Sequence, residues 1–295
     1  MTGVINIYKE KGYTSHDVVA IIRRIVGTKK VGHTGTLDPD ATGVLPVCIG
    51  RATKLADFFA TQDKTYIAQI ILGLETTTGD ISGEIINKQH INFDRDAIAK
   101  AVMSFHFDVR GQYMQTPPMY SAIKIGGKKL YELARKGQTI DIPPRPVIIH
   151  DISVQNFDQN HNAFTILVKC SKGTYIRSLA VDIGRTLGCG ATMGELERVQ
   201  SGMFHINCPK YPALKLDEIK ETAQNGQLPI IPIEELLPYP RIHVEGVHLT
   251  AAKNGNPLPM PDETKGKKFW VYGNSEIIGL FEANGNDLAR PVVML

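Results

Sequence analysis

The stretch Val31-Gly32-His33-Thr34-Gly35-Thr36-Leu37-Asp38-Pro39-Asp40-Ala41-Thr42-Gly43-Val44-Leu45-Pro46 gathers an imidazole, two carboxylates, three hydroxyls and three glycines ahead of any long apolar run. Its glycines open backbone conformations closed to other residues, and Asp38-Pro39 fixes a turn that presents a carboxylate outward instead of burying it in a ladder. Taken alone, an Asp-Pro in a glycine-rich loop is more often a structural turn than a catalytic one, so its meaning depends on the surrounding chain. Asp38-Pro39-Asp40-Ala41-Thr42-Gly43 also begins like a calcium-binding EF-hand loop. The twelfth position is Ile49, where a bidentate glutamate is required, and that reading fails on ligand count.

Ahead of the loop, Val4 to Tyr8 is strand-like. Thr14 or Ser15 then caps a helix whose Val18, Val19, Ile21, Ile22, Ile25 and Val26 recur at helical spacing up to Gly27. Beyond the loop, Thr65 to Leu74 mixes aromatic and β-branched residues as strands do, and Asp94 caps a helix through Met103. Phe164 to Cys170 reads as a strand, Ser171 to Thr174 as a turn, and Tyr175 to Leu187 as a helix with Tyr175 and Arg177 in its first turn. Strands and helices that mix without strict alternation predict an α+β fold with a mixed, largely antiparallel central sheet. Pro229, Pro232, Pro238 and Pro240 separate this body, residues 1–238, from a small β-rich module, 239–295. In the module, Phe269 to Tyr272 and Ile277 to Glu282 flank Gly273-Asn274 as a hairpin. So short a tail is marginal alone and is expected to pack against the body.

With 295 residues, of which 42% are hydrophobic, the chain has enough material for a large core. A formal net charge of +3 is too mild to establish a polyanionic partner. Two local basic clusters stand out: Arg23, Arg24, Lys29 and Lys30, then Lys124, Lys128, Lys129, Arg135 and Lys136. Phosphate contact and plain solvation are equally good readings of each. Cysteines 48, 170, 189 and 208 are scattered, without zinc-ligand spacing, so reduced thiols and no metal are expected. The N-terminus carries no signal-peptide pattern and no apolar run approaches a membrane span; a cytoplasmic protein is the expectation.

Four further segments accompany the loop in order: Lys9 with Gly12 and Thr14-Ser15; Lys64-Thr65-Tyr66; Gln115 to Lys124, with Pro117-Pro118 and Tyr120-Ser121-Ala122; and Cys170 to Arg177, with Lys172-Gly173 and Tyr175. Together with Gly32 to Pro39 and Ala41 to Pro46, this series resembles the TruB-type tRNA pseudouridine-55 synthases from about Gly3 to Phe204. The C-terminus is more weakly similar to a PUA domain. The resemblance implies a pseudouridine-synthase fold with a PUA-like RNA-binding tail. It also implies an isomerase that converts the uridine at position 55, in the T-arm of tRNA, to pseudouridine. No cofactor, no obligatory protein partner and a monomeric state follow as expectations.

By the same resemblance Asp38 is the catalytic residue, and Arg177 is the cation that keeps it ionised where water is scarce. Tyr66 matches the tyrosine that lies against the target base and handles a proton. His33, close to Gly32 and Gly35, is the candidate for filling the gap when the uridine is flipped out. Tyr175 and Leu196 resemble the wall around the uracil, and Lys9 a supporting lysine beside the pocket. Without the motifs each has a plainer reading: Arg177 a surface residue, Tyr66, Tyr175 and Leu196 core, His33 a loop histidine satisfied locally.

Three positions depart from the family's pattern: Glu10 where proline is usual, Thr77 for a common aspartate, and Glu197 for the first of two adjacent arginines. They bear on the shape of the entry loop and on one phosphate or structural contact, not on the reaction class. Two rival classes remain at this level. A tRNA-binding folding chaperone could use the same basic clusters, against which the intact Asp38, Tyr66 and Arg177 set argues. A metal-dependent hydrolase using Asp38 and Asp40 lacks a ligand spacing to support it.

Overall fold

The computed structural model describes residues 1–121, 123–134, 136–138, 140–259, 266–283 and 288–295. Ala122 of the third motif and Arg135 of the second basic cluster lie outside the described residues, as do the side chains of Lys124 and Lys129. The body is built on an eight-stranded sheet whose main path runs Gly3–Lys9, Thr42–Ile49, Ala191–Ser201, Lys64–Leu72, Ala163–Cys170 and Ile149–Asp158. Val31–His33 adds to Thr42–Ile49 and Phe204–His205 to Ala191–Ser201. Neighbours run antiparallel apart from one junction, where Glu197 and Arg198 meet Thr42 and Gly43 in parallel. The sheet is therefore mixed and largely antiparallel, and the fold is α+β as the sequence predicts.

Alternation along Lys64–Leu72 shows how the sheet is used. Lys64, Tyr66, Ala68, Ile70 and Leu72 face inward and are buried, whereas Ile67 on the opposite side is 36% exposed. The inward face is covered by helices Ser15–Val26, Arg95–Met103 and Ile176–Leu187, whose Val18, Ile22, Ile98, Val102, Leu179 and Ile183 pack on Ile5, Leu45, Ile70 and Ile166. Caps set the ends. Thr14 and Asp17 form a reciprocal capping box, Gly27 closes the same helix in the left-handed region, and Asp94 accepts from Asp96 N and Ala97 N.

Thr42–Ile49 is buried on both sides, which explains its unbroken apolar run. Leu45, Val47 and Ile49 face the main core, while Val44 and Cys48 face a second core shared with the tail. There the tail's five-stranded sheet contributes Trp270, Tyr272, Ile277 and Leu280 against Val4, Phe59 and Ile231. Trp270 is fully buried, and its indole donates to the Leu237 carbonyl at 2.8 Å. The tail thus completes the body's core, as its shortness requires.

Two local readings shift. The tail hairpin turns at Asn274-Ser275, one residue later than predicted, because Gly273 is still paired with Glu276 and both turn residues take positive φ, 53° and 65°. Tyr175 is the residue ahead of the helix, not in its first turn; its φ of −101° and ψ of 113° are extended. Among the described residues no helix is long and apolar enough to cross a membrane.

Candidate active site

The quoted stretch folds as a hairpin. Val31–His33 pairs with Thr42–Ile49, and the intervening loop carries Asp38 out beyond the sheet. Side chains from distant segments fix this loop. The Ser15 hydroxyl exchanges two hydrogen bonds with the Leu37 backbone, at 2.9 and 3.2 Å, and Gly12 N donates to the Pro39 carbonyl at 2.9 Å. Lys9 lies wholly buried beneath it, donating to the carbonyls of Glu10, Tyr13 and Pro39 at 3.1, 2.8 and 3.1 Å. Burial lowers its pKa to about 8, against the attraction of Asp38 and Asp40. Lys9 therefore braces the loop from below and does not line the cleft.

Above the loop opens a cleft with about 700 Å³ of empty space, counting the solvent at its open mouth. Asp38, Arg177, Asp80, Tyr120 and Leu196 line it. Arg177, second residue of its helix, is 7% exposed and spans two carboxylates: its Nε lies 3.2 Å from Asp38 Oδ2 and 3.6 Å from Asp80 Oδ2. Its remaining donors reach the carbonyls of Tyr120 at 2.9 Å and Thr78 at 3.3 Å. Burial pushes the Asp38 carboxyl above the usual carboxylate range, Arg177 pulls it back, and Asp80 adds to the rise. Asp38 keeps a 42% exposed side chain, so its carboxylate meets the cleft with one face in water and one against the guanidinium.

Of the residues singled out from the sequence, Asp38, Arg177 and Leu196 meet at this cleft. Tyr66 lies just behind it, only 9% exposed; burial raises its pKa, and the neighbouring Arg198 charge opposes the rise. Tyr175 is half-buried and held by a two-way bond with the buried Gln115 amide: Tyr175 N donates to Oε1 at 2.7 Å, and Nε2 donates to the Tyr175 carbonyl at 3.0 Å. His33 stands at the end of its short strand, edge-on to His16 with ring centroids 5.5 Å apart, and its Nδ1 accepts from Gly35 N at 3.3 Å. Burial lowers its pKa to about 4, so the ring is neutral at physiological pH.

Three contributors escaped the sequence reading. Asp80 shares Arg177 with Asp38, Gln115 pins the residue ahead of the Arg177 helix, and Arg198 is buried under the Asp38 loop. Gln115 stood at the start of a quoted motif and Arg198 follows Glu197 as the second of the family's two adjacent arginines, but neither was given a role. Glu197, one of the departures, accepts from the Tyr8 hydroxyl at 2.7 Å, and Thr77 accepts from Glu84 N at 3.1 Å. Of the basic clusters, Arg24, Lys29, Lys30, Lys128 and Lys136 are exposed, while Arg23 bonds the Val31 carbonyl at 3.1 Å.

The family model for the N-terminal domain of the TruB family pseudouridylate synthases matches residues 23–176, and that for the C-terminal domain of tRNA pseudouridylate synthase B matches 177–237. Among solved structures, the fold is shared with a Cbf5-Nop10-Gar1 complex at a TM-score of 0.68 and 27% identity, over 97% of this chain and 79% of that one. An archaeal box H/ACA sRNP Nop10-Cbf5 complex gives 0.65 and 26%, over 99% and 84%. Fold and family models together define a pseudouridylate synthase, an isomerase by class. Curated relatives named tRNA pseudouridine synthase B extend the match along the chain. That of Bacillus cytotoxicus is 41% identical over 98% of this chain and 92% of its own, and that of Clostridium novyi 43% over 100% of both. That of Staphylococcus saprophyticus is 46% identical over 80% and 75%. The chain belongs to the TruB family of pseudouridylate synthases.

Proposed function

We infer that this enzyme converts uridine 55 in the T-arm of tRNA to pseudouridine, with Asp38 as its catalytic residue. The isomerisation breaks the N1–C1′ bond, turns the freed uracil and joins its C5 to the ribose; C5 gives up its proton and N1 takes one up, so the formula is unchanged. The observation that carries the reading is the Asp38 carboxylate at the cleft wall, 3.2 Å from a buried guanidinium, in a chain of this family. So placed, it can act as nucleophile or stabilise positive charge that develops on the sugar. Tyr66 supplies the aromatic floor and a phenol for proton exchange, and Leu196 an apolar wall for the uracil. Tyr175 closes that wall, and Lys9 supports the site through the loop.

A stacked uridine reaches such a cleft only if it is flipped out. His33, neutral and beside the loop, is suited to fill the vacated stack. The exposed lysines and Arg24 supply phosphate contacts. Residues 1–238 form the catalytic domain and 239–295 a PUA-like RNA-binding domain, in a protein that works as a cytoplasmic monomer without an obligatory protein partner. The test is incubation of the purified protein with an unmodified tRNA transcript, followed by chemical mapping of pseudouridine. A single modified position in the T-loop, at nucleotide 55, is expected. No product would refute the activity, and product elsewhere would refute the site specificity.

A further inference from the structure

Arg198 is 1% exposed, among the largest side chains so deeply enclosed. Guanidinium is charged at any relevant pH, and burying it without a carboxylate is costly. Among the described residues none forms an ion pair with it. Its donors go instead to three backbone carbonyls: Nε to Val44 at 2.8 Å, Nη2 to Gly35 at 3.1 Å and Nη1 to Thr36 at 3.3 Å. Gly35 and Thr36 lie on the limb that leads to Asp38, and Val44 on the limb that leads away. One planar fork therefore ties the two limbs together.

The backbone is built for the same contact. Arg198 pairs with Gly43 on one side and Tyr66 on the other, and the parallel junction is so close that a Cβ on Gly43, at φ +104°, would fall 2.3 Å from the Arg198 carbonyl oxygen. The same charge bears on Tyr66, His33, Lys9 and Lys64. We propose that Arg198 is the positioning residue of this site: its guanidinium fixes the span of the Asp38 loop and so holds the carboxylate at the cleft wall beside Arg177. Neutral backbone ladders could have closed the loop without a buried charge. A fork that reaches three carbonyls at once also fixes the distance between the limbs, which a single ladder bond does not.

The proposal rests on the reading of Asp38 as catalytic, and the experiment separates the two. Full-length Arg198→Met, Arg198→Lys and Asp38→Asn are compared for single-turnover pseudouridine formation at saturating tRNA, for tRNA affinity and for thermal melting, with rates expressed per folded molecule. A displacement of about 1 Å at a reacting group costs on the order of 100-fold in rate. Arg198→Met is expected to lose that much at unchanged tRNA Kd. Arg198→Lys, which keeps a charge but cannot span three carbonyls, should recover only a small part of the loss. A purely structural brace would lower the melting temperature and leave the rate per folded molecule alone, which overturns the proposal. Full rescue by lysine, or a loss confined to tRNA affinity, overturns it too. If Arg198→Met does not fold, Arg198→Lys decides by the same criteria; if neither folds, Arg198 serves the stability of the domain and the proposal falls. Activity persisting in Asp38→Asn would instead remove the catalytic reading itself.

Discussion

Replacing Arg177 with methionine keeps an unbranched stem in the helix and removes the guanidinium that spans Asp38 and Asp80. Breaking a buried pair costs roughly 3–5 kcal/mol, whereas an exposed pair contributes about 0–1 kcal/mol. Asp80, 15% exposed, belongs near the first case, and Asp38, 42% exposed, between the two. Stability at pH 7 should therefore fall by about 3 kcal/mol, chiefly through Asp80. The weaker hold on Asp38 amounts to about 1–2 kcal/mol, or roughly 5- to 30-fold in single-turnover rate. The pH dependence has a definite sign. Burial already raises the Asp38 pKa, and loss of Arg177 raises it further, so the variant's rate at saturating tRNA should climb with pH across a range where wild type is flat. Its stability deficit should be plain at pH 7, where both carboxylates are left without their shared cation. Single-turnover assays and melts across a pH series read both. Wild-type rate with a wild-type pH profile would refute the electrostatic role of Arg177.

The same linkage makes Asp38→Asn more stable than wild type at pH 7, because a carboxyl with a raised folded pKa loses stability as pH rises through that pKa; the gap in melting temperature should close below the ordinary value of 3.8. Lys9 runs in the opposite direction. Its pKa is lowered from 10.5 to about 8, so the unfolded chain binds more protons between those values and wild-type stability should gain with pH there, a gain that Lys9→Met abolishes in denaturant titrations. Trp270→Ala should cost about 3–5 kcal/mol and be read in one cooperative melt of the whole chain. For the same reason, cutting the chain near Pro238 would expose Val44 and Cys48 behind the Asp38 loop, so exposed substitutions are the sounder probe of the tail's RNA role.

Local signals were faithful where a side chain acts on its own neighbourhood. Thr14 and Asp94 cap helices as read, and Gly27 ends one, because those bonds span two to four residues. The hairpin turn moved by one residue because turn position depends on cross-strand register, which Gly273 alone does not announce. Asp38 and Arg177 were legible through motifs, although they stand 139 positions apart. Asp80 was given no role in the sequence; it accepts from Thr78 and Ser82, and its ion pair with Arg177 appears only when the Arg177 helix is docked against it. Arg198 matched the second of the family's two arginines, but its role was hidden for a sharper reason. Its acceptors are backbone carbonyls 154 to 163 residues away, and any residue type supplies a carbonyl.

The central claim is that the Asp38 carboxylate drives isomerisation of one tRNA uridine. Release of tritium from a transcript carrying C5-tritiated uridine tests it directly, since C5 must lose its hydrogen when it bonds to the ribose. Wild-type protein should release one equivalent per tRNA. Asp38→Asn, folded and binding tRNA about as tightly because phosphate contacts dominate affinity, should release none. Release by that variant at a rate near wild type would contradict the account.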